Sequence, residues 1–127
     1  MFTHVTLGSN DLARSRRFYD ATITALGGPA GEYDEANQRL TYTHNGAMLV
    51  VLKPINGQPA CHANGGTIGL ASASPEMSEA WHAAGVANGG TTCENPPGVR
   101  EFGPARIHLA YLRDPDGNKL CTLHVMG

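Results

Sequence analysis

RDPDGNKLCTLH, residues 113–124, is a strongly coded turn running into a strand. Pro115 presets its own backbone angle, and Gly117 supplies a positive φ at no steric cost. The side chains of Asp114, Asp116 and Asn118 can hydrogen-bond nearby main chain. The flanking runs IHLAYL (107–112) and KLCTLHV (119–125) therefore read as the antiparallel strands of one hairpin. If Tyr111 pairs with Cys121, then His108 faces His124. Side-chain alternation turns that histidine pair away from the face holding Tyr111, Cys121 and Leu123.

Moving outward from the hairpin, the same kinds of element recur in order. FTHVTL (2–7) reads as a strand and SNDLARSRRFYDATITAL (9–26) as a helix, because Leu12, Ser15, Tyr19, Thr22, Ile23 and Leu26 form one helical stripe. Asn10 or Asp11 is its natural N-cap, and Gly27-Gly28 is its stop. An edge strand follows near 29–34, then QRLTYTH (38–44) and AMLVVL (47–52) joined at Asn45-Gly46, a strong short-range hairpin signal. A connector rich in Pro, Gly and Asn runs from 53 to 66.

The second half repeats the scheme. TIGLAS (67–72) is a strand. Ser74 caps a helix with Pro75 at its first position, Met77, Ala80, Trp81 and Ala84 face one way, and Gly89-Gly90 ends it. A short strand near 90–94, a loop over 94–104 and the opening hairpin complete the half. Each half thus reads βαβββ, and this doubling is the main architectural signal in the sequence.

Composition excludes several functions. The 127 residues suit one domain that can bury a core without metal or disulfide support. A formal net charge of −2 leaves no electrostatic footprint for nucleic acid or for an anionic membrane. No apolar run approaches the roughly 20 residues of a membrane span. The sixteen glycines exceed the average share of about 7%, which fits many short elements and tight turns. Cys61, Cys93 and Cys121 form no CxxC pair. Their odd number, with no recognisable signal peptide, predicts free thiols and a cytoplasmic location.

HVTLGSNDLARSRRFYD near the start and AYLRDPDGNKLCTLH near the end resemble the signature ends of the vicinal oxygen chelate superfamily, the glyoxalase/bleomycin-resistance/dioxygenase superfamily. The resemblance covers essentially the whole chain and implies a single α+β domain of two tandem βαβββ modules. They span about 1–53 and 67–127 around a connector at 54–66. Their curved mixed sheets would enclose a pocket, often at a divalent metal (Zn, Ni, Mn or Fe) and often within a homodimer. Members include glyoxalase I (lactoylglutathione lyase), extradiol dioxygenases, fosfomycin-modifying enzymes and metal-free drug-binding proteins, so fold alone does not settle function.

The resemblance also implies where a metal would sit. Its ligands come from the first strand of each module and from the strand after each hairpin turn, which places His4, Thr67, Val50 and Cys121 at the four positions. Metal-binding members carry His, Glu or Gln there. A catalytic divalent ion needs about three protein ligands; Val50 offers none, Thr67 little, and His4 with Cys121 makes only two. The expectation is a largely eroded site whose only candidate ligands are His4 and Cys121. Rescue would have to come from His44, His62, His82, His108 or His124. His82 reads as a surface residue, His62 as an exposed connector residue, and His108 with His124 as a structural pair.

Period-2 alternation gives the expected pocket lining: His4, Thr6, Met48, Val50, Leu52, Thr67, Tyr111, Cys121 and Leu123. An apolar wall with a few polar groups is what a small-molecule site looks like. Bland readings stand beside this one. His4 can be a strand residue satisfied by Thr6 or Thr67, Cys121 a small buried hydrophobe, and Arg14, Arg16 and Arg17 a solvated helix face. Were His4 to lie beside Cys121, the pair could act as a nucleophile. Two functional classes remain: a glyoxalase-like lyase or dioxygenase of undetermined substrate, and a metal-free small-molecule binding or sequestering protein of the bleomycin-resistance type.

Overall fold

The computed structural model describes residues 1–127. Two units, each a strand and a helix followed by three or four further strands, share one topology. In the first, β1 (His4–Gly8), α1 (Leu12–Ala25), β2 (Glu32–Asp34), β3 (Arg39–His44) and β4 (Ala47–Leu52) form a sheet of order β1-β4-β3-β2, with β1 and β4 parallel. In the second, β5 (Ile68–Ala71), α2 (Pro75–Ala87), β6 (Thr91–Thr92), β7 (Gly98–Phe102), β8 (Ala105–Arg113) and β9 (Lys119–Val125) form a sheet of order β5-β9-β8-β6, with β7 also on β8. Again the first and last strands run parallel. The repeat expected from the sequence is therefore the repeat of the fold.

The local signals act as their chemistry requires. Asp11 caps α1 by accepting the backbone N–H of Arg14, and Ser74 caps α2 by accepting that of Met77. Asn45 and Gly46 both take positive φ, at 50° and 78°, as a two-residue hairpin matched to strand twist demands. In the other turn Gly117 sits at φ 92°, and one Asp114 oxygen accepts the backbone N–H groups of both Asp116 and Asn118 at 2.9 Å. Across β8 and β9, Tyr111 stands opposite Cys121 and His108 opposite His124.

Each helix covers one face of its own sheet, α1 lies against α2, and the result is one core. Leu12, Phe18, Tyr19 and Ile23 of α1 meet Leu40, Tyr42, Leu49 and Val51 of β3 and β4, with Trp81 of α2 and Ala110, Leu112 and Leu120 of β8 and β9. A hydrogen-bonded seam joins the units: Tyr19 donates to Asp114 at 2.6 Å and Asn118 donates to the Gly8 carbonyl at 3.1 Å. Arg14 pairs with Asp116 at 2.8 Å. The connector folds back on the first unit through Asn10 and Ala60, which exchange two hydrogen bonds.

Two expectations need correction. Residues 98–102, part of the expected loop over 94–104, form β7 and pair with Leu109–Ala105 of β8. Strand β7 lies on the edge, where the neighbouring prolines deprive no ladder of a donor, and β6 with β7 jointly occupies the place that β2 holds in the first unit. The buried stripe of α2 is Ser78, Trp81 and Gly85 with Met77 beside it; Ala80 is exposed. Gly85 sets that register, since a Cβ there would lie 2.3 Å from Leu112 and 3.2 Å from Phe18.

Candidate functional site

Because the helices cover one face of each sheet, the alternate residues form two faces turned away from the core. His4, Thr6, Met48, Val50 and Leu52 belong to the first; Tyr111, Cys121 and Leu123 belong to the second, with Thr67 immediately ahead of β5. His4, Thr6, Met48, Thr67 and Leu123 are exposed, Leu52 and Tyr111 half-buried, and Val50 and Cys121 buried. Register brings His4 beside Met48 and Thr6 beside Val50, and Tyr111 beside Cys121. Of these nine residues only Met48 lines any of the three main cavities. The two helices, rather than these outward faces, meet at the common core.

The main cavities lie elsewhere. One of about 400 Å³ flanks α1 between Arg16, Arg17, Asp20 and Tyr33. An apolar one of about 320 Å³ opens between β1 and β5, where Phe2, Val5, Ile23, Leu26 and Ile68 line it.

The His4 ring accepts or donates at 2.9 Å to its neighbour Thr3, which corrects the expected partners Thr6 and Thr67. Burial pushes the Cys121 thiol pKa up, and Glu94 pushes the same way against Lys119. That is opposite to what an activated nucleophile requires. His108 and His124, though cross-strand partners, do not bond each other: His124 meets the Ser72 carbonyl at 2.9 Å, while His108 lies under α2 with Nε2 3.9 Å from Glu79 and Nδ1 without a partner. His82 is half-buried on α2, and His62 rests against the turn at Gly117.

The four positions implied for a metal do not fit one. Val50 has no donor atom, Thr67 offers a neutral hydroxyl, and Cys121 is a buried thiol held in its protonated form. No three His, Cys, Asp or Glu side chains gather where they could hold an ion. A catalytic ion needs about three ligands and one open position, and hard ions want several oxygens.

The outward face of the second sheet also carries a polar cluster outside the expected lining. Lys119 pairs with Glu94, and its Nζ lies over the Tyr111 ring at 5.1 Å from the centroid. Arg100 donates twice to the main chain at Asn95 and Pro96, at 3.1 and 3.0 Å. Glu94 takes a positive φ of 57°, unusual for a residue with a side chain. Alternation from Cys121 to Lys119 could have revealed the lysine. Glu94 could not have been found, because only the chain's return after β6 brings it there.

Comparison with known proteins agrees with this architecture. The family model described as Glyoxalase/Bleomycin resistance protein/Dioxygenase superfamily matches residues 1–122. A solved glyoxalase/bleomycin resistance protein from Albidiferax ferrireducens T118 is 52% identical, with 98% of both chains covered and a TM-score of 0.93. A glyoxalase-related enzyme from Fulvimarina pelagi, 20% identical over 97% of this chain and 86% of that one, has a TM-score of 0.72. A lactoylglutathione lyase from Agrobacterium tumefaciens, 17% identical over 97% and 92%, has a TM-score of 0.63. These last two share the fold. No curated protein matches the sequence, and no helix is long and apolar enough to cross a membrane.

Proposed function

The chain belongs to the Glyoxalase/Bleomycin resistance protein/Dioxygenase superfamily, and from that premise we propose that it binds a small organic molecule on its outward sheet faces without a catalytic metal. The observation that carries this reading is the donor set His4, Val50, Thr67 and Cys121, which cannot complete the coordination of a divalent ion. What remains is an apolar wall with a few polar groups, the usual makeup of a small-molecule site. Tyr111, Cys121 and Lys119 on one face and His4, Thr6 and Met48 on the other supply it. No nucleic acid or membrane partner is part of the proposal.

A homodimer belongs to the same reading. Met48, Phe102, Leu123 and Val125 are exposed in the single chain, and apolar side chains concentrated on such faces favour a covering surface. A two-fold partner would present the same patch and convert open faces into a walled pocket. The three free thiols, Cys61 exposed among them, favour a reducing, cytoplasmic setting.

Elemental mass spectrometry of tag-free protein purified without chelator tests the central claim. The expected result is metal far below one ion per chain, together with ligand-induced thermal stabilisation that survives chelator. About one divalent ion per chain, lost on His4→Ala, overturns it in favour of glyoxalase-type or dioxygenase chemistry. Light scattering at micromolar concentration tests the dimer.

A further inference from the structure

On the outward face of the second sheet the charges do not balance. Arg113 and Lys119 stand directly opposite each other across β8 and β9, and a like-charged cross-strand pair is unfavourable by itself. Arg100 shares the face: its register partner Ile107 alternates with Leu109 and Tyr111 on β8. Against these three cations the face sets one carboxylate, Glu94, already paired with Lys119. Glu101 is no counterion, since it pairs in register with Arg106 on the opposite face. None of the chain's ion pairs uses Arg100 or Arg113.

The two arginines are nevertheless held. Arg113 donates to the Gly117 carbonyl at 2.8 Å. Arg100 turns back toward the segment after β6, where one nitrogen spans the Asn95 and Pro96 carbonyls and its other donors stay free. Lys119 lies over the Tyr111 ring, and the carbonyls that hold Arg100 directly follow Glu94, the residue that pairs with Lys119. Burial, then Cys121 and Glu94, raise the phenol pKa, while Lys119 and Arg100 pull it down. The hydroxyl therefore remains a neutral donor at neutral pH.

Resting on the small-molecule reading above, we propose that this face carries an oxyanion subsite, in which one carboxylate or phosphate group of the ligand seats between Arg100 and Lys119 beside the Tyr111 hydroxyl and displaces Glu94 from Lys119. A guanidinium forks onto such a group bidentately, and a lysine serves as a point charge beside it. Glu94 acts as an internal competitor. It neutralises Lys119 in the free protein, swings away on its exposed side, and so lowers the affinity for any anion.

The test titrates benzoate, phenyl phosphate and the neutral benzamide into the whole chain, followed by two-dimensional amide NMR. The expected result is that both anions, or one of them, bind about tenfold or more tighter than benzamide, the low end of what one charge-assisted bond supplies. The shifts should centre on Tyr111 and Lys119 and weaken with salt. Whichever anion binds tighter identifies the group as carboxylate or phosphate. Arg100→Gln should lose that preference, Arg100→Lys should keep part of it, and Glu94→Gln should strengthen anion binding. If benzamide matches the anions at the same residues, or if Arg100→Gln and Glu94→Gln leave anion affinity unchanged, the subsite is refuted while small-molecule binding stands. If no probe moves resonances on either outward face, both readings fall.

Discussion

Replacing Tyr19 by Phe removes one hydroxyl from the seam between the two units. That hydroxyl donates to an Asp114 oxygen at 2.6 Å, and both residues are buried, with 0% and 3% exposure. The same oxygen accepts from Asn118 at 2.8 Å, and the other accepts two backbone N–H groups. Asp114 thus satisfies a buried carboxylate with four donors and no cation. A hydrogen bond to a charged, buried acceptor contributes about 1.5–3 kcal/mol, and no water can readily replace the lost donor. For a chain of this length the unfolding entropy near 60 °C is about 0.27 kcal/mol/K, so a loss of about 2 kcal/mol should lower Tm by about 7 °C. The control is Tyr42→Phe. Tyr42 also donates to a carboxylate, Asp20 at 2.7 Å, but that side chain is 33% exposed, so water can take over and the loss should stay under about 1 kcal/mol. Calorimetric melts of the three proteins at pH 7 decide the matter. Equal shifts for the two variants, or a Tyr19→Phe shift under about 1 °C, would refute the claim that the seam rests on a fully satisfied buried carboxylate.

Three further outcomes follow from specific contacts. Gly85→Ala should cost about 1–3 kcal/mol by overpacking although alanine is the better helix former, because Leu112 and Phe18 are fully buried and cannot yield; unchanged stability in urea would contradict it. Burial lowers the pKa of His82 below its ordinary 6.5, so the unfolded chain holds that proton more readily and stability is lost as pH falls through the ordinary value toward the folded one. His82→Gln should remove that share, and its Tm relative to the native chain should rise between pH 7 and pH 5; a constant difference would count against it. With a disulfide reagent at neutral pH, exposed Cys61 should label first and Cys121 last, since burial both covers that thiol and raises its pKa. Equal labelling rates by peptide mass spectrometry would reopen the nucleophile reading.

Neighbours along the chain suffice to set the turns, the caps and the order of elements. The Asn45-Gly46 and Asp116-Gly117 turns demand positive φ, Asp11 and Ser74 cap the helices they precede, and the doubled order of elements follows. Even the pairing of His108 with His124 could be counted from one assumed partner. Strand alternation likewise told which side chains share a face, so His4, Thr6, Val50, Tyr111 and Cys121 could be named together. It could not tell what lies over that face, because packing is a non-local property: the meeting of α1 with α2 turns those residues outward. The edge strand Gly98–Phe102 was hidden because its own residues do not require it and only β8 does. Nor does any local pattern join Tyr19 to Asp114, 95 residues apart, or bring Glu94 to Lys119. Those contacts depend on the free energy of closing long loops around a common core, a sum over the whole chain that no local stretch contains.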